Sequence, residues 1–333
     1  MKKPHVITLG TAGGPRWWTP MHADSRFGIS TAVVVGGRNY LVDVGAGAGR
    51  QYTRAGLDIA DLKGIFLTHL HSDHTTDLGN IALFGMFGLN ASEARIPIIG
   101  PGDRGMLPPV STRALTPPSP VAPHLPTPGT RDMFRLLMEA HATDLNDRVL
   151  DALRPSPLDL FDATDIRLPE GIGYHPNSSA TPDMEPFVVF EDDRVQVEAI
   201  LVEHPPIAPA FAYRFNTEEG AVVISGDTAK TRNMVTLSRG AQLLLHEAIS
   251  FSWVDQSYAE SQHPVHKASR DHHRKSHSSV EDAVSIAAEA GVTQLAIHHL
   301  VPGSLSSVGW RAELGQQSDV LLPNDLEIIP FHS

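Results

Sequence analysis

The sequence predicts an α/β protein, and three observations carry that prediction. Apolar, β-branched runs in the first hundred residues alternate with glycine turns and with stretches of helical period. The same alternation resumes after residue 195. With 41% hydrophobic residues in a chain of 333, there is enough apolar side chain for a large core, so the length allows two ordinary domains or one enlarged α/β domain.

Taken in order, residues 5–9, 31–35, 40–44, 64–68 and 96–99 read as strands, with helical segments at 50–62 and 78–89 between them. From 101 to 128 the chain carries Pro108, Pro109, Pro117, Pro118, Pro120, Pro123, Pro126 and Pro128. Each removes a backbone donor and fixes φ, which predicts an exposed, stiff loop. Residues 131–153 read as a helix, because Phe134, Leu137, Met138 and His141 fall at i, i+3, i+4 and i+7. The second half offers strands at 195–202, 221–225, 242–245 and 293–297. A helix over 279–290 is capped by Ser278 or Ser279, with Glu281 and Asp282 in its first turn.

Composition narrows the chemistry. Thirty-eight acidic residues against 26 Lys and Arg give a formal charge of −12, which argues against a protein that coats nucleic acid. Zero cysteines exclude disulfides, thiolate zinc sites, cysteine-ligated iron–sulfur clusters and a cysteine nucleophile. With 18 histidines present, any transition metal must sit on nitrogen and oxygen. No run reaches eighteen apolar residues, so no membrane span is expected. The start has no apolar signal stretch, and the expected location is cytoplasmic, or periplasmic or secreted if a leader has been removed.

Directly after the apolar run Ile65-Phe66-Leu67 comes Thr68-His69-Leu70-His71-Ser72-Asp73-His74, of the form HxHxDH. In extended chain His69 and His71 project to one side about 6.5 Å apart, so both can grip one ion. A turn at Ser72-Asp73 then swings Asp73 and His74 toward a neighbouring site. Zinc, manganese and iron all accept such donors. Further donors follow other predicted strands: His204 after 197–202, Asp227 after Ile224-Ser225-Gly226, and His298-His299 after 295–297.

These motifs resemble the metallo-β-lactamase superfamily, in its ribonuclease Z and arylsulfatase-like branch, over nearly the whole chain. Gly10-Thr11-Ala12-Gly13-Gly14-Pro15 resembles that branch's opening turn, and Tyr40-Leu41-Val42-Asp43-Val44-Gly45 its second-strand element. Leu245-His246-Glu247-Ala248 is similar to its "HEAT" element, Ser276-His277-Ser278-Ser279 to its "HST" element, and His299-Leu300-Val301-Pro302 to its final ligand motif. The resemblance implies a four-layer αβ/βα sandwich, two sheets face to face with helices outside and metals at one edge.

It also implies two divalent ions, Zn2+ foremost with Mn2+ or Fe2+ as alternatives. His69, His71 and His204 would hold the first; Asp73, His74 and His299 the second; Asp227 would bridge them, and Asp43 would orient the loop. A metal-bridging hydroxide would be the nucleophile, oriented by Asp73, with His277 and Glu247 handling the leaving group's proton. Adjacent strand residues face opposite ways, and the His-Leu-Val-Pro context favours His299 over His298. His246 is left as a buried neighbour or a support for the site. The basic run 263–275 reads as a solvated loop, with anion or RNA-backbone binding as the other idea.

The expected function is a dinuclear metal hydrolase of a small ester-like substrate: lactone, aryl sulfate or phosphodiester. Asp227 follows His204 by only 23 positions, leaving no room there for a substrate-gripping arm, whereas His204 follows His74 by 130. One domain over 1–333 is therefore expected, with a proline-rich and helical insertion at 101–190 capping the site. Trp17, Trp18, Met21, Phe211 and Trp253 are candidate apolar groups near the mouth. The expected partner is a small molecule, with no nucleic acid and no membrane, and a homodimer is the common state by resemblance. Alternatives are a ribonuclease Z-like RNA phosphodiesterase, a β-lactamase, and a non-hydrolytic metal oxidoreductase or sensor.

Overall fold

The structure, a computed structural model, describes residues 3–18, 26–91, 94–259 and 261–332; Met21 lies outside them. Its first sheet contains β1 (His5–Gly10), β2 (Ser30–Val35), β3 (Arg38–Val42), β4 (Leu62–Phe66), β5 (Ile96–Pro101) and β6 (Phe161–Ile166). The second contains β7 (Phe187–Glu191), β8 (Gln196–Leu201), β9 (Phe211–Thr217), β10 (Gly220–Ile224), β11 (Leu243–Ile249) and β12 (Gln294–Val301). A last strand, β13 (Glu327–Pro330), returns to the first sheet beside β1. The orders are β13-β1-β2-β3-β4-β5-β6 and β12-β11-β10-β9-β8-β7.

Both faces of each sheet are covered, as their almost unbroken apolar strands require. Between the sheets, Tyr40, Phe66, Tyr213, Phe215 and Phe190 pack edge-on or tilted, with ring centroids 5.2–6.2 Å apart. Outside the first sheet lie the helices Ala48–Arg54, Leu78–Gly85 and Thr130–Ala140. Outside the second lie Arg232–Ser238, Val280–Ala290 and Ser307–Leu314. The result is a mixed α/β sandwich of four layers. No described helix is long and apolar enough to cross a membrane.

Strand direction places the site. β3 and β4 run parallel, as do β10, β11 and β12; β8 and β10 are both antiparallel to β9, so they share a direction. The carboxyl ends of β8, β10, β11 and β12 therefore gather on one edge, where open α/β sheets place their ligands. Two bonds pin that edge to the ligand loop of the first sheet: Phe211 N donates to Thr68 O (2.8 Å) and Tyr213 Oη to Leu67 O (2.7 Å).

The segment 101–190 is not a separate cap. β6 and β7 extend the two sheets at their edges, and Phe134 and Met138 bury against the first sheet's outer face. An apolar stripe of that kind lies down on a core rather than standing over a polar mouth. The expected single helix at 131–153 breaks at His141, which is exposed, into Thr130–Ala140 and Ala142–Leu150. The cavity at the sheet edge is walled instead by the helix Pro264–Ser276, the stretch expected to be a loop. His263 caps that helix and Pro264 stands in its first turn. The proline-rich loop pairs with that helix through the exposed ion pair Arg113–Asp271.

Candidate metal centre

The HxHxDH loop leaves β4 and turns into a short helix, Ser72–Thr75, after His71. Asp43 holds it. Its Oδ1 accepts from Thr68 N and its Oδ2 from Thr68 Oγ1 and His74 Nδ1, each at 2.8 Å. Asp43 sits at φ 56, a left-handed conformation that costs a non-glycine residue about 1–3 kcal/mol. His299, at φ 48, shares that strain. The β11–β12 register shifts at this point, so His299 turns inward off the strand's alternation.

One group consists of His69, His71 and His204, with one ligand atom from each within 4.8 Å of the others. His69 Nε2 and His204 Nε2 lie 3.0 and 3.2 Å from His71 Nδ1. His204 Nδ1–H donates to the Ser276 carbonyl (2.7 Å), and His69 Nδ1–H to Thr68 Oγ1 (3.1 Å). Their Nε2 atoms are therefore acceptors, and at most one of the two contacts with His71 is a hydrogen bond. Burial first, then neighbouring histidines, pushes the pKa of His69 and His204 well down; burial also lowers that of His71. Converging neutral lone pairs fit a cation.

The other group is Asp73, His74, Asp227 and His299. Asp227 Oδ1 lies 3.3 Å from His74 Nε2 and 3.1 Å from His299 Nε2, while its Oδ2 lies 3.9 Å from His69 Nε2 and 3.7 Å from His204 Nε2. One carboxylate thus faces both groups. Asp227 Oδ1 is buried without a hydrogen-bond partner, the situation a second cation would resolve. Burial opposes the charge on Asp227 and Asp73. The facing histidines, His299 and His74 for Asp227 and His74 and His299 for Asp73, outweigh it and hold both carboxyls below the usual range. Gly13 is required here: a Cβ on it would meet the His299 ring at 2.3–2.6 Å.

Beside both groups, His277 Nδ1–H donates to Glu247 Oε1 (2.9 Å), which also accepts from Thr228 N (2.9 Å). Burial works against protonating His277, but Glu247 and then Asp227 outweigh it and raise its pKa to about 9. His298 and His246 stand outside these groups. Both are buried, and His246 Nδ1 is turned to the carbonyl of Glu247.

The cavity above, about 490 Å³, is bordered by Arg16, His71, Asp73, His277, His272 and His273 among others. Burial first, then nearby histidines, pushes His272 down to about 3 and His273 to about 4. Arg16 lies over the Trp18 and Trp253 rings at 5.5 Å and donates to Tyr258 Oη. Of the apolar mouth candidates, Phe211 is core between the sheets, and Trp18 and Trp253 support Arg16. The helix Pro264–Ser276 is not legible in the sequence because its inner stripe, Val265, Ala268, Ser269, His272 and Ser276, keeps helical spacing but has only two apolar members.

Residues 25–104 match the family model described as the metallo-beta-lactamase superfamily. The chain carries a metallo-β-lactamase superfamily domain. That match, together with the donor groups, supports a metal-dependent hydrolase. Ribonuclease Z of Mycobacterium sp. (strain KMS) is 27% identical over 98% of this chain and 96% of its own length. Ribonuclease Z of Mycobacterium marinum (strain ATCC BAA-535 / M) is 26% identical over 98% and 99%. The crystal structure of the short form of human tRNase Z superposes with a TM-score of 0.64 over 99% of this chain and all of that one, at 19% identity, a likeness of fold. The expectation of a small-molecule partner and no nucleic acid is corrected by these findings: proteins similar along the whole chain are ribonucleases.

Proposed function

We propose that this chain is a metal-dependent RNA phosphodiesterase of the ribonuclease Z kind, holding two divalent cations, Zn2+ foremost. The observation that carries the reading is the buried His277–Glu247 pair set against both donor groups on the floor of an open cavity. His69, His71 and His204 would hold one cation and Asp73, His74 and His299 the other, with Asp227 between them. Bound there, the cations supply an activated water and charge for the phosphoryl oxygens. Asp73, fixed by Gly14 N at 2.9 Å, orients the attacking water. His277 gives the proton on Nε2 to the departing ribose oxygen, and Glu247 keeps Nδ1 protonated so that the ring returns to the same tautomer.

The charge of −12 opposes RNA only if it is spread evenly, since phosphate binding depends on the local field. The helix walling the cavity carries Lys267, Arg270, Arg274 and Lys275 against Asp271; Asp271 is paired with Arg113, and Arg274 with Asp255. Arg16 adds a cation at the rim. These side chains supply phosphate contacts where a long arm between His204 and Asp227 is absent.

The test is cleavage of a transfer-RNA precursor transcript by the zinc-loaded chain over about 50–200 mM salt, with a bis-aryl phosphate as control. Cleavage that weakens steeply with salt is the expected result. An intact transcript at every salt, with the bis-aryl phosphate hydrolysed, would refute the RNA reading.

A further inference from the structure

Three histidines at the cavity mouth form a group of their own. His272, His273 and His277 each offer one ring nitrogen within 4.8 Å of the others, with ring centroids 5.7–6.0 Å apart. His272 and His273 lie near the end of the helix Pro264–Ser276, and His277 follows directly after it in extended backbone, so the chain brings the three rings together at the helix end. The free nitrogens can be named. His277 Nδ1 is engaged by Glu247, leaving Nε2; His273 Nδ1 is buried with no hydrogen-bond partner; His272 Nδ1 lies 3.3 Å from Ser276 Oγ, leaving Nε2. No carboxylate belongs to this group, unlike the Asp73–His74–Asp227–His299 group below it.

We infer that His272, His273 and His277 form a third divalent-cation site, selective for nitrogen-preferring ions such as Zn2+ and weaker than the two beneath, whose occupation switches the enzyme off. Three imidazoles complete a zinc site with one open position once His277 has released its Nε2 proton to solvent, and lacking a carboxylate they suit Zn2+ rather than Mg2+ or Ca2+. A cation there takes the Nε2 lone pair of His277. That atom then carries no proton to give, so excess zinc inhibits while Mg2+ does not. The inhibition rests on His277 acting as the proton donor proposed above; the site itself does not.

The experiment is equilibrium dialysis of the full chain against rising free Zn2+, counting bound ions per chain, with hydrolysis followed in parallel. The native chain should take up two tightly held ions and then a third, with activity falling as the third binds. His273→Gln and His272→Gln should keep the two tight ions, which also reports that they are folded, and weaken the third by at least about tenfold. Inhibition, measured relative to each variant's own rate, should move to higher zinc by the same factor. A third ion bound equally by the variants would overturn the inference, as would saturation at two. A third ion lost in the variants with no phosphodiester or RNA cleavage by any of them would instead leave the site standing and sink the proposed function.

Discussion

The two sheets deliver donors to one place in opposite ways. The first sheet sends four from six consecutive residues, His69 to His74, on a loop that Asp43 clamps through three contacts. The second sends His204, Asp227, His299 and the Glu247 that pairs with His277 from four separate strand ends. Local chain geometry sets the first array, so a defect there stays local. Sheet register and inter-sheet contacts set the second, so its members depend on packing far from them.

The largest expected effect comes from the residue that joins the arrays. Asp227→Ala should lose both ions together and cut turnover by at least about a thousandfold, some 4 kcal/mol of transition-state stabilisation. Loss of one ion only would mean that the carboxylate serves a single group. Next comes a residue outside both groups, at the end of the helix Pro264–Ser276: His277→Ala should keep both ions while kcat falls about a hundredfold, within the range for a general acid. Metal analysis beside the rate separates this from a ligand. Smaller, and specific to the seam between the sheets, is Gly13→Ala. The new methyl displaces the His299 ring, so titration with a chelator should show one ion weakened about tenfold or more and the His69–His71–His204 ion unchanged. Least of all, Arg113→Ala removes an exposed pair and should change stability by less than about 1 kcal/mol, read as an almost unmoved Tm.

The same contrast explains what the sequence made legible. HxHxDH stands out because its donors are contiguous, and β4 before it is apolar enough to read as a strand. Ser279 and Asp282 form the reciprocal cap that opens the helix Val280–Ala290, again a local signal. The His-Leu-Val-Pro context favours His299 over His298, whereas what turns it inward is a register shift and a positive φ that one strand's residues do not announce. The helix Pro264–Ser276 was hidden because its inward stripe uses histidine and serine where a core would use leucine. The proline-rich segment misled in the other direction: its length suggested a cap, yet Phe134 and Met138 drew the following helix onto the first sheet. Substrate class was least legible, because net charge averages over the whole surface and does not place the basic run 263–275 on the helix beside the cavity.

The proposed centre holds two cations, with Asp227 between them and ligands from both sheets. Native mass spectrometry of the zinc-loaded chain, after dialysis to strip weakly held ions, tests it most directly. Two ions per chain, both absent from Asp227→Ala while the variant remains folded, is the predicted result. A single tight ion in the native chain, or two ions still bound to the variant, would contradict it.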